Sequence, residues 1–174
     1  MRKKILCIFI GLVVSLSAEE TVSAPFEKSQ AIAALSAEIK VIKKIRVNVT
    51  MYYGPEPGQE RYVCGSYEKD VRLNGKGKET RLGKKPEIGT AAADWQIFKP
   101  GTKFRIADCD DVFLGISSQT PARDIIFEVQ DTGSGVKGHH VDLFVGWGDH
   151  GRKIAENFGR RKMIIEVVQC LPQE

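Results

Sequence analysis

The sequence predicts a mainly β protein built as a small barrel, and three observations predict it. Short apolar, β-prone runs recur from Ile45 onward, the connections between them are rich in glycine, and one short helical stretch lies near the end. Many short strands joined this way favour a sheet closed on itself over an alternating α/β sheet.

The chain opens with Arg2, Lys3 and Lys4, then the apolar run Ile5–Leu16, then Ser17 and Ala18. That is the layout of a secretory signal peptide, and the run is short for a membrane span. We place the signal at residues 1–18 and expect an exported protein, in the periplasm or cell wall. Cys7 lies in the run without the pattern of a lipid-modified cysteine, so no lipid anchor is expected. The whole chain has 26 Lys and Arg against 22 Asp and Glu, and removing the signal leaves 23 against 22. The mature protein is close to neutral, and no basic stripe interleaves with aromatics, so nucleic acid is not an expected partner. About 150 residues then remain, enough for one ordinary domain.

Residues 27–44 read as an amphipathic helix, with Ile32, Leu35, Ile39 and Ile42 on one line, inside a helical extension over 19–46. The barrel is expected over 47–170. From Ile45, RVNVTMYYG alternates apolar and polar residues until Gly54 and Pro55 break it. Residues 71–88 are rich in Gly and Lys and read as a loop or a weak hairpin. In GTAAADWQIFKPGTKFRI, small residues allow close backbone packing, a turn at Lys99–Gly101 follows, and a strand runs over 102–106. Asp94 is the one charge in a run that otherwise looks buried, and such a charge needs a partner or a task. Residues 108–123 form a long connection.

Asp131–Asp142, DTGSGVKGHHVD, joins two β-prone runs, so both of its carboxylates fall at strand ends around a glycine-rich turn. Next, GWGDHGRKIAENFGRRK reads as a turn and a short helix, with Asp149 as N-cap, Ile154 and Phe158 as an apolar pair, and Gly159 as its end. A last strand covers 163–168. Cys64, Cys109 and Cys170 survive signal removal; two of them can pair in an oxidising compartment, and no pair is singled out. His139, His140 and His150 match no helical metal-binding spacing and read as surface residues, so neither a metal nor another cofactor is expected.

The order D-T-G, small residues, K-G, apolar residue, D, then F-G-R-R and a β-run resembles the three-Asp domain of bacterial cell-wall lytic transglycosylases and related proteins. TAAADWQIFKPGT supplies the matching context for the first aspartate, Asp94, and Thr50, Tyr52 and Tyr53 loosely match the family's opening strand. The resemblance runs from about Val47 to Val168 and departs from the family pattern at 108–123. It implies a six-stranded double-psi β-barrel that cleaves the MurNAc-β-1,4-GlcNAc bond of peptidoglycan with 1,6-anhydroMurNAc formation. Asp142 would be the single general acid/base. Asp131 would raise its pKa and support the oxocarbenium-like transition state, and Asp94 would orient the cluster. Tyr53, Thr132, Gly133 and Lys137 are the candidate substrate contacts, Tyr53 either stacking on a sugar or packing at the barrel mouth. Two other classes stay open: a non-catalytic peptidoglycan-binding barrel, and an ordinary hydrolase that uses water.

Overall fold

Strand ladders organise the chain from Ile39 onward. The computed structural model describes residues 39–73, 79–107, 109 and 124–170, all inside one compact unit, Ala37–Glu174. The expected signal, residues 19–38 of the extension and nearly all of the 108–123 connection lie outside the described residues. The elements are β1 (Ile39–Gly54), α1 (Tyr67–Leu73), β2 (Thr90–Ala93), β3 (Lys103–Ile106), β4 (Phe127–Asp131), β5 (His140–Trp147), α2 (Gly148–Phe158) and β6 (Arg161–Cys170).

Where the expected helical extension overlaps the described residues, it is strand. Residues 39–49 of β1 pair antiparallel with β6, from Ile39 opposite Cys170 to Val49 opposite Arg161. Ladder hydrogen bonds and β-branched side chains override the modest helix propensity of this stretch. A register shift between Val41 and Lys43 breaks the alternation there, leaving Ile42 without a ladder partner and 54% exposed.

The six strands close into a barrel in the order β1-β5-β2-β4-β3-β6. β1 with β5 and β2 with β4 are parallel, while β2–β5, β3–β4, β3–β6 and β1–β6 are antiparallel. Period-two alternation sends Val47, Val49 and Met51 of β1 and Val141, Leu143 and Val145 of β5 into one core with Phe104, Phe127, Val129 and Ile165. Phe104 and Phe127 stack there, ring centroids 5.6 Å apart. Burying such side chains is the main favourable term holding the barrel closed.

α2 lies against β5 and β1 because Gly151 has no side chain: a Cβ there would stand 2.6 Å from the Gly146 carbonyl oxygen of β5 and 3.0 Å from the Tyr53 Cβ of β1. Phe158 joins the core and Ile154 packs on it, as their spacing predicts. Gly159 ends the helix at φ 65. Asp149 is not the N-cap. The helix begins at Gly148 behind Trp147, which makes no side-chain capping bond. The Asp149 carboxylate is engaged by the Glu60 N–H (2.7 Å) and the Arg152 guanidinium (2.8 Å). α1 occupies the start of the stretch expected as loop, and β6 extends the expected last strand in both directions.

Candidate active site

Two strand registers bring two of the three aspartates level. Asp142 of β5 stands opposite Ala92 of β2 in the antiparallel ladder. Asp131 of β4 stands opposite the same Ala92 in the parallel ladder, because the register slips between Ala91 and Ala92. Without that bulge Asp131 would fall out of step with Asp142 and turn to the other face. Only a methyl group separates the acids at this level, and the small residues of Thr90–Ala93 leave that space.

The other wall comes from β1. Its core-facing positions alternate with Thr50 and Tyr52, which stand opposite Asp142 and Phe144 of β5. The Thr50 hydroxyl donates to Asp142 Oδ1 at 2.6 Å and lies 2.9 Å from His140 Nε2. A cavity of about 630 Å³ opens over these residues, lined by Thr50, Tyr52, Asp131, Thr132, Gly133, His140, Asp142 and Arg160 on the acid side. Arg72, Arg152 and Glu156 line its far side.

Burial pushes the Asp142 carboxyl up from 3.8 to about 6; the Thr50 bond and the Arg160 charge oppose that rise, and Asp131 adds to it. Burial is therefore the larger cause and the neighbouring carboxylate the smaller, the reverse of the emphasis the motif suggests. Asp131 Oδ1 accepts the backbone N–H of Thr132 (2.8 Å) and of Arg81 (2.9 Å), so the acid is held by backbone from two segments. Trp95 Nε1 donates to its carbonyl (3.0 Å) and fixes the chain there.

Asp94 does not line the cavity. Its carboxylate accepts the N–H of Gly138 (2.9 Å) and of Gln96 (3.0 Å), tying the end of β2 to the Asp131–Asp142 loop. Those two bonds hold it below the usual carboxylate range. Lys137 also stands outside the cavity lining, whereas Thr132 and Gly133 are part of it. Tyr53 reaches the cavity wall, but it is 4% exposed and its hydroxyl donates to the buried Asp70, which also accepts the N–H groups of Val63 (2.9 Å) and Cys64 (2.6 Å). The Tyr52 hydroxyl makes no such bond. That hydroxyl is buried without a hydrogen-bond partner, and burial together with the charges of Asp131 and Asp142 holds its proton on strongly.

Thr50, Tyr52, His140 and Arg160 are thus site residues that sequence reasoning passed over. Strand alternation marks Thr50 and Tyr52 as sharing a face, and Arg160 belongs to the F-G-R-R run already noted. His140 is the correction among the histidines: it is 6% exposed, whereas His139 and His150 lie on the surface. Burial and Arg160 push its imidazole below the ordinary range. Among the described residues, no group of three or more His, Cys, Asp or Glu is arranged to hold a metal ion.

No curated protein sequence matches the chain. Among solved structures, MltA from E. coli is similar at 18% identity over 53% of this chain and 28% of its own length, TM-score 0.39. A membrane-bound lytic murein transglycosylase from Agrobacterium tumefaciens shares 23% identity over 52% of this chain and 25% of its own, TM-score 0.40. For MltA from Neisseria gonorrhoeae the figures are 21%, 63% and 31%, TM-score 0.35. This chain therefore spans about a quarter to a third of the proteins it resembles in structure. The 3D domain family model matches residues 89–168, the stretch that holds all three aspartates. Over that stretch the chain is similar to the 3D domain family.

Proposed function

We propose that this protein is an exported peptidoglycan lytic transglycosylase in which Asp142 is the single general acid/base. The observation that carries the reading is a half-buried carboxyl, its pKa pushed up to about 6 by burial, facing an open cavity with a second carboxylate held level with it. Breaking a glycosidic bond requires a proton on the departing oxygen, and a carboxyl that keeps its proton near neutrality supplies it. Asp142 protonates O4 of the departing GlcNAc as the MurNAc C1–O4 bond breaks. Asp131, locked by two backbone N–H groups, stays in place to face the positive charge that develops at C1. The carboxylate of Asp142 then takes the proton of the MurNAc C6 hydroxyl as O6 closes on C1, giving the 1,6-anhydro end and restoring the acid. No water is consumed.

In this reading Thr132 and Gly133 contact the glycan, Tyr53 packs at the barrel mouth rather than stacking on a sugar, and Asp94 acts by holding the loop between the acids. Lys137 is a further substrate contact, beyond the cavity lining. The two parallel strand pairs are read as the crossings of a double-psi barrel. Export follows from the basic, apolar and small-residue order of residues 1–18; among the described residues no helix is long and apolar enough to cross a membrane. A pure binding barrel has no use for a carboxyl kept protonated by burial, which is why the catalytic reading is preferred.

Mass spectrometry of purified peptidoglycan incubated with the protein and with Asp142→Asn tests this. Anhydromuropeptides from the first and none from the second are expected. Reducing-end products would replace the reading with hydrolysis, and intact glycan from both, with chitohexaose or glycan still bound, would replace it with a binding module.

A further inference from the structure

We propose that Arg160 forms a carboxylate subsite beside Asp142, selecting glycan strands that carry an acid on the lactyl arm of MurNAc over neutral chains of the same length. The inference deepens the reading of the cavity as a peptidoglycan site and rests on it. The F-G-R-R run supplies two arginines that the fold uses differently. Arg161 turns back on the end of α2: its Nε donates to the Phe158 carbonyl (3.2 Å), and its guanidinium lies 4.9 Å from the centre of the Phe158 ring. Arg160 is exposed and lines the cavity.

Strand register sets what Arg160 stands beside. Arg161, the first residue of β6, pairs with Val49, so Arg160 lies one step further on, at the level of Thr50. Thr50 is level with Asp142, Asp142 with Ala92, and Ala92 with Asp131. Five neighbouring segments of the barrel, in the order β6-β1-β5-β2-β4, thus carry one row. The row has a cation at one end, the acid/base in the middle and a carboxylate at the other end. With strands about 4.8 Å apart, each end stands about 10 Å from Asp142 along the backbone, within the reach of a long side chain. The charge of Arg160 is felt at both Asp142 and His140, which puts its guanidinium on their side of the chain.

The other cations of the cavity are engaged. Arg152 holds Asp149 and Glu156, each at 2.8 Å, and Arg72 has the charge of Glu68 one turn before it on α1. Among the described residues no carboxylate forms an ion pair with Arg160, and Asp142 in its acid form offers it no charge. A guanidinium is a planar fork of donors that matches a carboxylate with two parallel hydrogen bonds. Asp131, at the far end of the row, repels the same anion. The row therefore gives a bound strand a direction, with C1 of the muramyl ring toward Asp131 and its acidic arm toward Arg160. MurNAc differs from GlcNAc by the lactyl ether on C3. Its carboxylate is free in strands without peptides, and where a stem peptide is attached the arm ends in the peptide's carboxylates. Chitin-type chains have neither.

The test measures glycan binding by the full chain carrying Asp142→Asn, in which a neutral amide stands in for the protonated acid and cleavage does not interfere. In calorimetric titrations, hexasaccharides of alternating GlcNAc and MurNAc with free lactyl carboxylates should bind about tenfold tighter than chitohexaose, the scale of one hydrogen-bonded charge pair. Amidating those carboxylates keeps the bulk of the arm and removes the preference. With Arg160→Gln added, acidic, amidated and neutral chains bind alike, and Arg160→Lys restores part of the preference. A preference confined to strands that keep their stem peptides assigns the contact to a peptide carboxylate instead of the lactyl one. Absence of binding, equal binding of acidic and neutral chains, or a preference that survives Arg160→Gln overturns the proposal. Anhydro products from the wild type without the preference would sink this inference alone, and the preference without anhydro products would sink the catalytic reading alone.

Discussion

At the scale of single residues, the three aspartates of one motif do three different things because their surroundings differ. Asp142 is pushed up to about 6 by burial, Asp94 is held low by two backbone N–H groups, and Asp131 is anchored by two more. A raised folded pKa in an acid means the folded state binds more protons than the unfolded chain between 3.8 and about 6. Asp142 therefore costs stability that is absent below the lower value and fully felt above the upper one. Replacing it with Asn should stabilise the protein by about 2–3 kcal/mol at pH 8, with the gain gone below about pH 4, as read from urea unfolding at the two pH values. Glycan cleavage by the wild type should fall as pH rises through the same upper midpoint, since only the protonated acid starts the reaction. The motif made Asp142 and Asp131 legible from sequence. It did not distinguish Tyr52 from Tyr53, because the choice turns on Asp70, a residue in α1 that takes the Tyr53 hydroxyl.

At the scale of elements, the site depends on two departures from regular strand pairing and one close approach. The Ala91/Ala92 bulge levels the acids, and the Val41/Lys43 bulge shifts the register of β1 against β6. The approach of α2 to β5 and β1 is set by Gly151, whose Cβ would strike backbone atoms of Gly146 in β5, which cannot swing aside, and the Cβ of Tyr53 in β1. Gly151→Ala should therefore lower stability by about 1–3 kcal/mol. Gly159→Ala, which meets open space but keeps a φ of 65, should cost only about 1 kcal/mol. Urea midpoints of the two variants rank them, and the reverse order would mean that helix ending, not helix docking, is the tighter constraint. The helix, its apolar pair and its terminal glycine were readable from sequence. The strand character of 39–44 was not, since a bulge and an antiparallel partner more than a hundred residues away decided it.

At the scale of the whole molecule, stability and activity pull on the same titrations from opposite sides. Burial works against the charge of Asp70, yet the Tyr53 hydroxyl and the Cys64 and Val63 N–H groups hold it low; Glu166 is held low by Lys44 and Arg105. Groups with depressed folded values stabilise the protein above their unfolded values and lose that contribution as pH falls. With Asp142 acting in the other direction, the urea midpoint should be greatest near about pH 4–5, fall on the acid side, and decline to a lower plateau reached above about pH 6. Asp70→Asn should remove much of the acid-side fall while lowering the maximum; an unchanged profile would mean that Asp70 is equally well held when protonated. The sequence by itself determined that the chain folds as a mainly β barrel with a 3D motif, because alternation, glycine turns and the order of the aspartates are local signals. Only the tertiary structure decided which residues share the cavity. Strand register, a bulge and burial are set by partners distant in the chain, and they raise Asp142, hide Tyr53 and bring Thr50 and His140 into one hydrogen-bonded line.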